Sequence, residues 1–154
     1  MKGDPKVIEI LNSLLAEELT AISQYFVHAE MYADWGYEEL HEALEHRSIE
    51  EMKHAEKLMS RILFLEGKPI VSKLEPIHIG KTVPEMLEND RTLEQDAINR
   101  YNKAISQVAT MSDQGSKELL DAILKDEEEH VDYFEVQLTQ IEQMGLQNYL
   151  TAKK

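Results

Sequence analysis

Glu50-Glu51-Met52-Lys53-His54 and Asp126-Glu127-Glu128-Glu129-His130 decide how this chain is read. Both read acid-E-x-x-H, and on a helix a residue and its i+3 neighbour share one face. Glu51 and Glu127 stand 76 positions apart, as do His54 and His130. The same interval separates Glu18-Leu19-Thr20-Ala21-Ile22-Ser23-Gln24-Tyr25 from Glu94-Gln95-Asp96-Ala97-Ile98-Asn99-Arg100-Tyr101, which share E-x-x-A-I-x-x-Y. A repeat of this kind points to a duplicated helix hairpin. Two further Glu-x-x-His pairs behave differently. Glu75/His78 encloses Pro76 and is not helical, and Glu38/His41 lies about 140° from the Glu51 face and reads as solvated surface.

Outward from these motifs, punctuation marks the helices. Asp4-Pro5 reads as an N-cap with proline at the first helical position, and periodic residues run from there to Trp35, with Gly36 as a stop. A second segment spans about Tyr37 to Leu65 and ends at Gly67-Lys68-Pro69. Thr82-Val83-Pro84-Glu85 has capping-box spacing and opens a third, which ends near Met111. A fourth runs from near Ser116 to Gly145, and Leu146 to Leu150 form a short last helix. Residues 66–83 hold Gly67, Pro69, Pro76 and Gly80 and are not helical. Extended, this link reaches roughly 60 Å, beyond the roughly 40 Å of a 27-residue helix. It can run the length of the bundle and leave helices two and three parallel. The expected fold is all-α, a four-helix bundle with one long crossover, with residues 1–154 as one domain.

At 100° per residue, Glu18, Glu51, Glu94 and Glu127 each lie inside the apolar stripe of their helix, with His54 and His130 beside two of them. Four carboxylates in one core cannot all stay ionised unaided. Two divalent cations would cancel their charge, and two imidazoles would complete two similar ligand sets. Oxygen and nitrogen donors without sulfur suit iron or manganese. Asp90 and Arg91 are polar intruders on the third stripe.

Composition narrows the field. The chain has 154 residues, 30 acidic against 16 basic, and a formal net charge of −14. That argues against nucleic-acid binding and polybasic membrane attachment, and favours cationic partners. With no cysteine, disulfides, thiolate zinc sites and iron–sulfur clusters are excluded. No apolar run is long enough to span a bilayer and no signal peptide is visible, so a cytoplasmic protein is expected.

The chain resembles the bacterioferritin family of ferritin-like di-iron carboxylate proteins over essentially its whole length. The resemblance rests on Met1-Lys2-Gly3-Asp4, Gln24-Tyr25-Phe26, Asp34-Trp35-Gly36, Glu50 to Ala55, Arg61 to Gly67 and Met144 to Leu150. It implies a ferritin-like bundle, a 24-subunit shell with a mineral cavity, and a ferroxidase centre of two irons on Glu18, Glu51, His54, Glu94, Glu127 and His130, with Glu51 and Glu127 bridging. It implies oxidation of Fe²⁺ with O₂ or H₂O₂, and a ferredoxin-type reductant for release. It places Tyr25 beside the centre as an electron donor; a core tyrosine is the other reading of that residue. It makes Met52 a ligand of haem b shared across a two-fold dimer interface. Periodicity alone puts Met52 on a second stripe with Ile49 and Met59, where plain dimer packing is the other reading. Two departures stand out. Glu45 occupies a position near the haem where the family often has tyrosine, and Glu50 replaces aspartate beside His46 at the family's inner-surface iron position. His46 and Glu50 read equally as iron-transfer residues or a solvated helix pair. Two-fold contacts could also accept a paralogous subunit.

Two rivals remain at this stage. One is a non-storing di-iron oxidase or peroxidase of rubrerythrin-like type, although such proteins usually append a cysteine-ligated iron domain. The other is a helical interaction protein whose metals only stabilise the fold.

Overall fold

The computed structural model describes residues 1–154 and contains helices only: α1 Pro5–Asp34, α2 Glu38–Phe64, α3 Val83–Val108, α4 Gln114–Met144 and α5 Leu146–Ala152. The Asp4 carboxylate accepts from the Lys6 N–H at 2.8 Å and Thr82 Oγ1 accepts from the Glu85 N–H at 3.3 Å, so both expected N-caps form.

The helix ends differ in detail from the sequence expectation. α2 closes at Phe64, where Gly67 N–H donates to Ile62 O and Glu66 N–H to Leu63 O, a Schellman closure. The left-handed residue is Glu66, with φ 63°. Gly67 is needed for room, because a Cβ there would meet Ile8 Cγ2 at 2.7 Å. α3 stops at Val108 rather than near Met111, because Thr110 and Met111 turn back onto Gln107 O and Val108 O and Ser112 takes φ 54°. α4 starts at Gln114, two residues before Ser116, with Asp113 as its N-cap. Arg61 of α2 fixes this corner through Asp113 at 2.7 Å and Ser116 Oγ at 2.9 Å.

The crossover, residues 65–82, runs along α1 in the same direction. A loop with few backbone bonds of its own must find partners elsewhere. Here α1 supplies them from four side chains along its length. Asn12 Oδ1 accepts from Ile70 N–H at 2.8 Å, Thr20 Oγ1 from Glu75 N–H at 2.8 Å, Gln24 Oε1 from His78 N–H at 3.1 Å, and His28 Nε2 from Gly80 N–H at 3.1 Å. This clamp holds α2 and α3 parallel, as the loop length allows. α5 docks at the end of the bundle, with Tyr149 buried and its hydroxyl 2.6 Å from Gln137 Oε1.

The core divides in two. Val7, Leu11, Leu15, Leu58, Ile62, Tyr101 and Leu120 belong to one apolar cluster, and Tyr25, Tyr32, Leu40, Leu44, Leu87 and Phe134 to the other. Fully burying one such leucine or phenylalanine contributes about 1.5–3 kcal/mol, so the clusters can carry the desolvation cost of a polar layer between them. No helix is long and apolar enough to cross a membrane.

Candidate metal centre

The polar layer is formed by the four faces that the repeat singles out. Glu18, Glu51, His54, Glu94, Glu127 and His130 are each no more than 2% exposed. They form two sets, Glu18–Glu51–His54–Glu127 and Glu51–Glu94–Glu127–His130, whose ligand atoms lie within 4.8 Å of one another in each set. Glu51 and Glu127 belong to both. His54 Nδ1 stands 2.9 Å from Glu127 Oε1 and 3.2 Å from Glu51 Oε2. His130 Nδ1 stands 2.8 Å from Glu51 Oε1 and 3.3 Å from Glu94 Oε1. The two rings lie 6.2 Å apart and are nearly parallel.

Their outer nitrogens are also held. His54 Nε2 is 2.9 Å from Asp126 Oδ2, and His130 Nε2 is 3.0 Å from Glu50 Oε2. Each histidine is thus oriented by the acid that precedes the other repeat's glutamate. Such outer carboxylates fix ring orientation and leave Nδ1 for a metal. Glu50 also meets His46 at 2.7 Å and Arg47 at 3.1 Å, so it is a bridge into the core rather than a solvated partner of His46 alone.

Protons balance the charge of the metal-free layer. Glu51 and Glu127 are pushed well above the carboxylate range, first by burial and then by the neighbouring carboxylates. Burial would raise Glu94 too, but hydrogen bonds with Glu127 and His130 hold it down to about 2. Burial disfavours charge on His130, yet Glu94 and the other carboxylates raise it to about 9. His54 is raised in the same way, against burial, by Glu127, Glu18 and Glu51. Every histidine nitrogen here faces a carboxylate oxygen, surroundings that favour the charged ring. The donor set fits divalent metals: Glu18 Oε2 and Glu94 Oε2 are buried without a hydrogen-bond partner, and both Nδ1 atoms aim between the carboxylates.

Tyr25 lies beside this layer, fully buried, with its hydroxyl donating to Glu94 Oε1 and its ring 5.8 Å from Phe134. Burial first, and the Glu94 charge next, push its phenol well above the usual range. Met52 lies outside the bundle on α2, 42% exposed, with Ile49 at 40%. Met59 does not continue that exposed stripe but packs against the first apolar cluster. His41 points away from the centre, its Nδ1 2.8 Å from Ala29 O.

Sequence reasoning assigned no role to three features. Asp126 and Tyr101 were inside the quoted repeat, and their positions relative to Glu50 and Tyr25 were the signal. Asp90 was marked as an intruder, and the structure supplies its partners: His28 Nδ1 at 2.8 Å and Gln24 Nε2 at 2.8 Å. Because Gly80 N–H donates to His28 Nε2, His28 carries its proton on Nδ1 and donates it to Asp90.

A four-helix bundle with a long crossover and paired Glu/His sets in its core defines a ferritin-like protein. The ferritin-like domain family matches residues 8–144. The chain is 46% identical to a bacterioferritin of Rhodobacter capsulatus, across 97% of this chain and 92% of that one. It is 46% identical to a bacterial ferritin of Synechocystis, across 99% of each, and 42% identical to a bacterioferritin of Mycobacterium bovis, across 97% and 94%. The chain belongs to the bacterioferritin family.

Proposed function

We propose that this protein is an iron-storage ferroxidase. It binds two ferrous ions per chain as substrate, oxidises them with dioxygen or hydrogen peroxide, and keeps the ferric product inside a multisubunit shell. The two buried ligand sets that share Glu51 and Glu127 carry this reading. Glu18 and His54 would hold one ion and Glu94 and His130 the other, with Glu51 and Glu127 shared between them. Four carboxylate charges offset two divalent ions. Two ferrous ions give two electrons, enough to reduce dioxygen to peroxide or peroxide to water. The Nδ1 protons and those of Glu51 and Glu127 leave as metal enters. Glu50 and Asp126 keep the histidine rings in place. Tyr25 could give the oxidant one electron beyond the two from the ferrous ions, its hydroxyl proton passing to Glu94.

On this reading residues 1–154 act as one domain in the cytoplasm, assembled as a homo-oligomeric shell of 24, with a ferredoxin-type reductant for release. Met52, an exposed thioether beside Ile49, fits a haem iron and would hold haem b with its copy from a second subunit. Haem supplies an electron path to stored ferric iron when bound. A content of one haem per two chains, lost in Met52→Ala, tests this assignment.

The decisive experiment adds several hundred Fe²⁺ per particle in air and measures iron that co-elutes with protein by size. Ferric iron far beyond about two per chain in a particle of hundreds of kilodaltons is the expected result. Rapid oxidation that stops near two per chain in a small particle would replace storage with a di-iron oxidase. No oxidation would leave any bound metal structural.

A further inference from the structure

We infer that Tyr101 is a positioning residue for the Glu18 ligand set, as Tyr25 is for the Glu94 set, so that the two metal sites are held by crossed tyrosine–glutamate pairs. This inference rests on the dinuclear reading above and adds a residue to it. Tyr101 of α3 is fully buried, and its hydroxyl donates to Glu18 Oε1 of α1 at 2.6 Å. Tyr25 of α1 is fully buried, and its hydroxyl donates to Glu94 Oε1 of α3. The two tyrosines stand 76 positions apart, as the two glutamates do. In both pairs the second oxygen, Glu18 Oε2 or Glu94 Oε2, is buried and has no hydrogen-bond partner.

The consequence follows from carboxylate geometry. A glutamate free at both oxygens can bind a metal through either or both, and can swing between them. A phenol that occupies Oε1 leaves Oε2 as the ligand atom and fixes the rotation of the carboxylate plane. Core packing alone does not require this hydroxyl, since a phenylalanine ring would fill the same space without bringing a polar atom that needs a partner. The crossing also ties α1 to α3 on both sides of the layer, at Glu18–Tyr101 and Tyr25–Glu94. Each ligand set therefore depends on a hydroxyl from the helix that carries the other terminal glutamate.

The test is a Co²⁺ titration of the metal-free full-length protein, followed by d–d absorption, for the parent chain, Tyr101→Phe, Glu18→Gln, Glu94→Gln and the two combinations with Tyr101→Phe. The parent should bind two Co²⁺ per chain. Tyr101→Phe should weaken one of them by roughly 10–100-fold, the range for loss of an outer-shell partner. Added to Glu18→Gln it should cost nothing more; added to Glu94→Gln it should cost its full amount. Circular dichroism checks folding, and Tyr101→Leu, which also lacks the hydroxyl, is the second variant with the same expected loss. Two Co²⁺ bound by Tyr101→Phe with parental affinity overturns the inference while leaving the dinuclear site intact. An equal added loss in both backgrounds makes Tyr101 a general packing residue and overturns it too. A parent chain that binds no Co²⁺ overturns the dinuclear reading itself.

Discussion

The α1–α2 and α3–α4 hairpins are two versions of one design, and they differ most where they do not face the polar layer. Inside, they correspond side chain for side chain: Glu18 with Glu94, Tyr25 with Tyr101, Glu51 with Glu127, His54 with His130. Outside, they part. Gln24 is buried against Asp90 and the crossover backbone, whereas its counterpart Arg100 is 42% exposed and reaches Glu17 and Glu75. His28 holds Asp90 and Gly80, and its counterpart is Ala104. Exposed Met52 corresponds to Glu128. The repeat thus kept the inward acids and imidazoles alike, while only the first hairpin holds the crossover, and the exposed thioether of Met52 has an acid as its counterpart.

The comparison breaks most severely at the shared residues. Glu51→Ala and Glu127→Ala should each disable both sets at once, and ferrous oxidation by stopped flow should fall by more than the roughly 10–100-fold typical of outer-shell changes. A variant that kept parental rates would remove the bridging role. The proton balance gives the next largest effect. Glu51 and Glu127 hold protons and both histidines are charged when metal is absent. Two divalent ions replace these, so about four protons per chain should leave on loading at pH 7. Calorimetry in two buffers of different ionisation heat counts them. Release of only about two would mean that the histidines are neutral without metal.

The outer acids sharpen the symmetry to a quantitative test. Asp126→Asn should weaken the ion beside His54, and Glu50→Gln the one beside His130, each by roughly 10–100-fold. The Glu50 change should be the larger. Its side chain is 23% exposed against 41% for Asp126, and it also engages His46 and Arg47. Burial would raise Glu50, but the hydrogen bond with His130 and the charges of His130, Arg47 and His46 hold it below the usual range. Equal losses would mean that the extra contacts of Glu50 do not stiffen His130.

What could be read from sequence follows the same division. The repeat and the 3.6-residue period located all six inward acids and imidazoles, because those are set by spacing along one helix. The crossover was legible as a length, and that length permits α2 and α3 to run parallel. Contacts between helices were not legible. Nothing in one strand of residues says that Tyr101 reaches Glu18, or that Asp126 orients the histidine of the other repeat. Helix ends shifted by a few residues where an unlikely residue, Glu66 or Ser112, took the left-handed turn.

The outer faces supply the smaller effects. His28→Ala would leave buried Asp90 without one donor and Gly80 N–H without its acceptor, at a cost of about 2–4 kcal/mol, with metal stoichiometry unchanged. Urea unfolding and a Co²⁺ titration check both halves of that statement.

Glu17 gives the last and smallest. It is 3% exposed on α1 beside Glu18, and its counterpart in the other hairpin is Leu93. Burial, against the opposing pull of Arg100, raises its carboxyl from 4.5 to about 7. An acid raised in the folded state binds its proton more tightly there than in the unfolded chain. Below pH 4.5 both states hold the proton and nothing is lost. Between pH 4.5 and 7 stability falls as pH rises, and above 7 the full penalty applies, up to about 3 kcal/mol at 1.36 kcal/mol per unit. Glu17→Gln should therefore match the parent below pH 4.5 and exceed it at pH 8, in urea unfolding of metal-free protein. A variant weaker than its parent at pH 8 would mean that the Arg100 contact outweighs burial. The two hairpins would then differ here by a useful ion pair rather than by a tolerated buried acid.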